Sequence, residues 1–262
     1  MLKFDAISTN RSSRVRLDLE CTLGRTLGEV TESPATLITG GGSGIGAATA
    51  RQLLELGHRV TITGRGQDRL RAFADEAGRP ASLLSRAGDA ADYDTVRSAV
   101  ECTVEQFGRL DAVVANAGYT TFDTIVDGDP AGWRHMVLTN VLGPALLIRA
   151  ALPELKKTRG RIILVGSTAG IVYSPGNVYG GTKWAVTGLA ENTRRMVTGD
   201  GVGVTLINPG ATETNFFDAD GGPPDRPMLT AEQLASCIVW AINQPSGVDI
   251  NTITVRPIGS PL

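Results

Sequence analysis

Cysteine, histidine and aromatic side chains are scarce in this chain of 262 residues, and neither sign of charge is in excess. The cysteines Cys21, Cys102 and Cys237 are odd in number and far apart, which excludes the close pairing of a disulfide framework or a zinc knuckle and points to a reducing, cytoplasmic setting. The histidines are His58 and His135 alone, so a zinc site lacks ligands, no metal is expected, and a His-based triad is poorly supplied. Lys plus Arg number 25 against 27 Asp plus Glu, a formal charge of −2. Nucleic-acid grooves and cationic membrane faces need a surplus of basic residues, so neither partner is expected. No run approaches about 18 uninterrupted apolar residues, because Pro144, Arg149 and Pro153 break up the most hydrophobic region; no transmembrane helix is expected. What remains is 42% hydrophobic and 20% charged, enough to build a core, with 32 glycines that imply many close backbone approaches.

From Ala35 onward, short runs rich in Val, Ile, Leu and Thr alternate with longer helical patterns, the mark of repeated βαβ units on a parallel sheet. The pattern predicts strands over 35–39, 59–63, 81–85, 111–115, 161–165, 202–207 and 251–255. It predicts helices over 44–57, 67–77, 92–107, 130–157, 177–198 and 230–242. Seven strands with helices between them make a single α/β domain over residues 34–262. Residues 1–33 stand apart as a polar N-terminal extension, expected to be poorly ordered, carrying Arg11, Arg14, Arg16 and Arg25 and no apolar stripe. Their acids, Asp5, Asp18, Glu20 and Glu29, do not suit a transit peptide. From Asn215 to Met228 the chain packs Gly221, Gly222, Pro223, Pro224 and Pro227 into one span, a composition that resists both helix and strand.

The first predicted strand runs into Gly40-Gly41-Gly42-Ser43-Gly44-Ile45-Gly46 and then into a helix. Residues without side chains let backbone N–H groups approach a pyrophosphate, and the helix N-terminus adds donors and partial positive charge. A dinucleotide fits there, although a glycine-rich structural turn would look alike. The second strand ends at Thr63-Gly64-Arg65, where an NAD enzyme commonly has an acid on the ribose 2′-OH. Arg65 just before a helix N-terminus is unfavourable unless an anion sits beside it, and a 2′-phosphate supplies one, so NADP is preferred and NAD is the alternative. A solvated surface arginine is the plainer reading of the same residue.

In the fifth βα region Ile162-Ile163-Leu164-Val165-Gly166-Ser167 is followed twelve residues later by Tyr179-Gly180-Gly181-Thr182-Lys183. Tyr179 and Lys183 are four apart and share a helix face. A cation beside the phenol favours phenolate and makes Tyr179 a usable acid/base, while Ser167, at a strand's carboxyl end, is placed to hold a substrate oxygen. Taken singly, each residue is more often a surface or packing residue; together they point to proton transfer.

Together these motifs resemble the short-chain dehydrogenase/reductase family over Ala35 to about Pro257. The family's Thr-Gly-x-x-x-Gly-x-Gly turn appears as Thr39, Gly40, Gly44, Ile45 and Gly46, its adenine-pocket Asp as Asp89 before Ala90, and its Asn-Asn-Ala-Gly as Ala115-Asn116-Ala117-Gly118. The resemblance implies that Asn116 steadies the central sheet, and that Asn140 joins Ser167, Tyr179 and Lys183 in a catalytic tetrad through a water relay to the lysine. It also implies that Pro209-Gly210-Ala211-Thr212-Glu213-Thr214 holds the nicotinamide, with Thr214 on the carboxamide. The implied fold is a single doubly wound Rossmann-type domain with a seven-stranded parallel sheet in the order 3-2-1-4-5-6-7. The implied activity is hydride transfer between NADP(H) and a small-molecule alcohol or carbonyl, by a homodimer or homotetramer. A looser likeness, through Gly166 to Gly170, Gly176 to Tyr179 and Val248 to Thr252, is to the NADP-dependent serine and 3-hydroxy-acid dehydrogenases. Against it, Arg226 is the lone cation for a carboxylate between Ala211 and Met228. Two rivals share the fold: a non-catalytic NAD(P)-sensing regulator, expected to have lost Tyr179 or Lys183, and a scaffold, for which the tetrad spacing is chance.

The family's first strand usually begins within about ten residues of the start, whereas here it begins near Ala35. Val30 is a candidate alternative start, since no Met lies between Met1 and Met136. The rival account uses Val15, Leu17 and Leu19 as a short strand that wraps a neighbouring subunit. Deletion of residues 1–29 is expected to leave melting temperature and oligomer mass unchanged; a large loss of either would make the arm structural.

Overall fold

Strands that are apolar on both faces persist only where both faces are covered. In the computed structural model, which describes residues 33–260, the chain satisfies that demand with helices on each side of one sheet. In order it forms β1 (Ala35–Thr39), α1 (Gly44–Glu55), β2 (Arg59–Gly64), α2 (Gln67–Glu76), β3 (Leu83–Ala87), α3 (Tyr93–Phe107), β4 (Ala112–Ala115), α4 (Pro130–Val137), a π turn (Leu138–Leu142) and α5 (Gly143–Thr158). There follow β5 (Arg161–Val165), a 3-10 turn (Thr168–Gly170), α6 (Val178–Val197), β6 (Gly203–Pro209), β7 (Thr212–Glu213), a 3-10 stretch (Asn215–Asp220), β8 (Leu229–Thr230), α7 (Ala231–Ile242) and β9 (Thr252–Val255). The expectations for residues 1–32, including the arm strand, lie outside the described residues.

Seven strands pair in the order β3-β2-β1-β4-β5-β6-β9, every pair parallel, while β7 and β8 make a separate two-stranded ladder. Successive strand residues alternate between two cores. Leu37, Val113, Ile162 and Leu164 pack with Leu147, Leu155 and Val186 from α5 and α6. Ile38, Val114 and Ile163 pack on the other face with Leu53, Leu70, Leu234 and Ile238 from α1, α2 and α7. The chain leaves β1 toward β2 and β3 but returns to place β4 on its other side, and this reversal opens a crevice at the carboxyl ends of β1 and β4.

The observed elements depart from expectation in specific ways. Strand β3 starts two residues later than the predicted 81–85, because the Leu83 N–H closes a turn onto the Pro80 carbonyl and delays pairing. The helix predicted over 130–157 is interrupted by the π turn. Pro144 has no N–H for the Asn140 carbonyl four residues back, so the regular ladder fails there. The 215–228 loop, expected to avoid helix, holds a 3-10 stretch before its Gly-Pro run. By length and composition Pro130–Thr158 is apolar enough to cross a membrane, with mean hydropathy 1.5. The expectation drawn from uninterrupted apolar runs missed this, because the breaking residues only dilute the average. In the fold its Leu147, Ile148, Ala151 and Leu155 are buried in the first of the two cores.

Candidate active site

Close backbone approach forms the floor of the crevice. Gly40 has φ +67°, and a Cβ there would lie 2.9 Å from Asn116 Nδ2 and 3.0 Å from Ala117 Cα. A Cβ on Gly46 would run into the Gly40 carbonyl oxygen and stand 2.6 Å from the same amide nitrogen. On Gly44, at φ +52°, it would meet the Thr214 side chain at 3.1 Å, and on Gly42 the Leu70 side chain at 3.2 Å. Helix α1 starts after Ser43 with no side-chain cap and no acid in its first turn, so its first N–H groups are left for an external anion. Asn116 holds this floor to the sheet: its Nδ2 donates to the carbonyls of Thr39 at 2.9 Å and Gly40 at 3.1 Å. The Thr39 hydroxyl accepts from the N–H groups of Asn116 and Ala117, both at 3.2 Å.

At the rim, Asp89 accepts from the Ala91 N–H at 2.9 Å, and the start of α5 packs close, since a Cβ on Gly143 would lie 3.1 Å from the Ala90 carbonyl oxygen. Arg65 is exposed, with its guanidinium carbon 5.9 Å from the Tyr119 ring centroid. Arg69 folds back over the same turn, its Nε 3.1 Å from where a Gly66 Cβ would be. Sequence reading missed this second cation, although its four-residue spacing from Arg65 is the signal that finds it. On the far side the Gly210 N–H donates to Val255 at 2.7 Å, and the Thr212 hydroxyl donates to the Gly210 carbonyl at 3.0 Å. These bonds carry the chain from Pro209 to Thr214 over the glycine turn.

Beyond the crevice, Ser167, Tyr179, Lys183 and Asn140 come from three elements. Ser167 follows β5 and caps the 3-10 turn, its Oγ accepting from the Ala169 N–H at 3.1 Å. Its N–H donates to Asn208 Oδ1 at 3.2 Å, at a point where any Cβ on Gly166 would strike the Asn208 amide. Asn177 caps α6 by accepting from the Gly180 N–H at 2.9 Å, which sets Tyr179 in the first turn and Lys183 one turn on. Lys183 is 5% exposed and its Nζ donates to the Val165 carbonyl at 2.9 Å. Asn140, 1% exposed, sits in the π turn; its Nδ2 donates to the Tyr119 carbonyl at 2.8 Å and Thr182 Oγ1 at 3.1 Å, and its Oδ1 accepts from the Tyr119 N–H at 3.0 Å. A Cβ on Gly118 would lie 3.1 Å from Asn140 Oδ1 and 3.6 Å from Lys183 Nζ, so both face that glycine. Tyr119 and Thr182, which orient Asn140, were not among the expected site residues.

Burial, not the neighbouring cation, dominates the proton affinities. The Tyr179 hydroxyl is pushed up to about 12 by burial, with a hydrogen bond from Ser167 pulling the other way. This corrects the expectation that the lysine lowers it. Lys183 is itself pushed down to about 8 by burial, and its Nζ stands 5.7 Å from the Tyr179 ring centroid. Low dielectric disfavours phenolate and ammonium alike.

A cluster of aromatic rings adjoins Tyr179. Phe216 meets it edge-on at 5.7 Å between centroids and packs on Phe217 at 5.5 Å; Phe122 lies 5.7 Å from each of these two. Phe122 holds φ +56°, a left-handed conformation that costs a bulky residue about 1–2 kcal/mol. Among the described residues no group of three His, Cys, Asp or Glu is placed to hold a metal.

The family model of short chain dehydrogenases matches residues 34–221. An uncharacterized oxidoreductase of Staphylococcus epidermidis is 32% identical over 225 residues, 85% of this chain and 96% of that protein. Among solved structures, an alcohol dehydrogenase from Thermococcus sibiricus complexed with 5-hydroxy-NADP superposes with TM-score 0.80 at 26% identity, covering 87% of this chain and 98% of its own. The closed form of a serine dehydrogenase complexed with NADP+ superposes with TM-score 0.79 at 30% identity, covering 84% and 94%.

The buried lysine makes stability depend on pH. Its folded value of about 8 lies below the 10.5 of the free side chain, so between those values the unfolded chain binds more protons and folding becomes more favourable as pH rises. Lys183→Met, which removes the buried charge, is expected to raise stability at pH 7. Its advantage over the parent should shrink by about 2 kcal/mol by pH 10, read from urea unfolding at each pH. A difference independent of pH would show that Lys183 titrates normally in the fold.

Proposed function

That the chain belongs to the short-chain dehydrogenase/reductase family, whose members are NAD(P)-dependent oxidoreductases, is the premise from which we propose that its crevice passes a hydride between NADP(H) and an alcohol or carbonyl, with Tyr179 as acid/base. The observation that carries the reading is the meeting of Ser167, Tyr179 and Lys183 beside a glycine floor that any added Cβ would fill. The N-terminus of α1 and the turn from Gly40 through Gly42, Ser43, Gly44 and Ile45 to Gly46 receive the pyrophosphate. Asp89 and Ala90 border the adenine, Asn116, Ala117 and Gly118 line the crevice wall, and Pro209, Gly210, Thr212 and Thr214 lie along the nicotinamide end. When bound, the nicotinamide supplies or accepts the hydride.

Each protein group then has a task. Tyr179 holds its proton at neutral pH, since its hydroxyl lies near 12; it therefore donates to a carbonyl oxygen in the reductive direction, and in the other it first gives its own proton to the relay and then takes the hydroxyl proton. Ser167, which draws the Tyr179 proton affinity down against burial, orients that oxygen. Lys183 and Asn140 face Gly118 together, which suits a relay that restores the tyrosine's proton. Arg65 and Arg69 over one turn, with no acid at the end of β2, favour a 2′-phosphate, and NAD is the weaker alternative. The same reading places the protein in the cytoplasm as a homodimer or homotetramer.

Tyr179→Phe is expected to lower kcat at least a thousandfold while the Kd for NADP stays within about threefold, because it removes a proton donor and little binding surface. Turnover near the parent rate would overturn the mechanism. Arg65→Asp should shift the NADP/NAD ratio of kcat/KM toward NAD by roughly a hundredfold, having exchanged a phosphate partner for a ribose acceptor. If the unaltered protein binds NAD more tightly than NADP in a titration, the role of Arg65 is wrong.

A further inference from the structure

Three segments surround Tyr179: residues 119–129 after β4, 167–177 after β5 and 210–228 after β6. Their charge is one-sided. The first carries Asp123, Asp127 and Asp129 and no base; the second carries no charge; the third carries Glu213, Asp218, Asp220 and Asp225 against Arg226. From these acidic segments Phe216 meets the Tyr179 ring, and Phe216, Phe217 and Phe122 make a run with neighbouring centroids 5.5 to 5.7 Å apart.

The wall is built into the fold. Asp123, next to Phe122, accepts from the Thr121 hydroxyl at 2.6 Å and Trp133 Nε1 at 2.9 Å, and these bonds hold its carboxyl below the usual range, so it stays charged. Thr124 is tied to Asp127 through both its N–H and its hydroxyl, at 2.8 and 2.7 Å. The Ile125 N–H donates to the Gly176 carbonyl at 2.9 Å, fastening the first segment to the second. On these two fastened segments Ile125, Val126 and Tyr173 leave apolar side chains 68%, 90% and 86% exposed. Phe122 is held at φ +56° despite its bulk, and the ring it carries completes the run.

We propose that this site takes an uncharged alcohol or ketone bearing an aryl or comparably bulky apolar group beside the reacting carbon, and turns away hydroxy acids. The proposal rests on the reading of Tyr179 as acid/base. An aryl ring gains edge-to-face contact with Phe216 and Phe122. A substrate carboxylate would lose water against those rings, between loops whose charge is almost all negative, a repulsive device against the wrong substrate. Arg226, exposed and paired in sequence with Asp225, is the one base on the three segments. In the oxidative direction the carbinol carbon gives its hydride to the oxidised nicotinamide and the hydroxyl gives its proton to the tyrosine relay, leaving ketone, reduced nicotinamide and one proton.

The test is kcat/KM with NADPH for acetophenone against its para-carboxylate, and with NADP+ for 1-phenylethanol against serine and 3-hydroxybutyrate. The uncharged aryl compounds are expected to lead by roughly thirtyfold or more. Phe216→Ala and the milder Phe216→Leu should erode that lead, the first by at least tenfold, with NADP affinity within about twofold of the parent. Calorimetric binding of the two acetophenones to Tyr179→Phe loaded with NADP+ reads the same selectivity without turnover. Better turnover of serine or 3-hydroxybutyrate, or equal binding of the two acetophenones, overturns the proposal and leaves the acid/base reading standing. Loss of the lead in neither Phe216 variant also overturns it. Full activity of Tyr179→Phe removes both.

Discussion

The side-chain amide of Asn116 ends on the carbonyls of Thr39 and Gly40, and through them it joins the carboxyl ends of β1 and β4. Everything in the crevice hangs from this junction. Parallel strands diverge where the order reverses, and the carbonyls there have no further strand partner, so a side chain must satisfy them. Because the amide takes that position, Gly40 and Gly46 have no room for a Cβ. Because the glycines are bare, the α1 N-terminus faces the crevice with its donors open. One hydrogen-bonded side chain thus leaves the first N–H groups of a helix facing a topological gap.

A second constraint is the low dielectric beneath α6. Lys183 reaches the Val165 carbonyl from one turn below Tyr179, and burial moves the two groups in opposite senses, the lysine down to about 8 and the tyrosine up to about 12. A phenol so placed is a proton donor at rest. A bound positive charge or a developing alkoxide would alter the balance more than any rearrangement of the protein, since desolvated groups respond strongly to each added charge. Asn140 reaches the same corner only because the helix is broken: Pro144 interrupts the ladder, the π turn follows, and the amide closes on Tyr119 and Thr182.

The aromatic cover works at longer range. Phe122 comes from the loop after β4 and Phe216 and Phe217 from the loop after β6, segments nearly a hundred residues apart that meet over Tyr179. The same loops are rich in acids, Asp123, Asp127 and Asp129 in the first and Glu213, Asp218 and Asp225 in the second. Membership of the family leaves the substrate open, because a family fold fixes the cofactor crevice and the proton relay while the loops differ.

The sequence by itself determined the βαβ alternation, the seven strands and the glycine turn, because each is a local pattern: apolar runs of strand length, punctuation by Gly and Asp, and helical spacing between them. It also determined that Tyr179 and Lys183 share a face, since four residues on a helix allow no other arrangement. Strand boundaries were less legible, as β3 shows, where a turn at Pro80 governs the start of pairing. Only the tertiary structure decided the proton affinities, which depend on how much water the surrounding elements exclude. Only it brought Arg69 back over the turn at Gly66, set Asn140 against Tyr119 and Thr182, and gathered Phe122, Phe216 and Phe217 over one phenol. Each of these is a meeting of side chains distant along the chain or folded back on it, and periodicity carries no information about such distances.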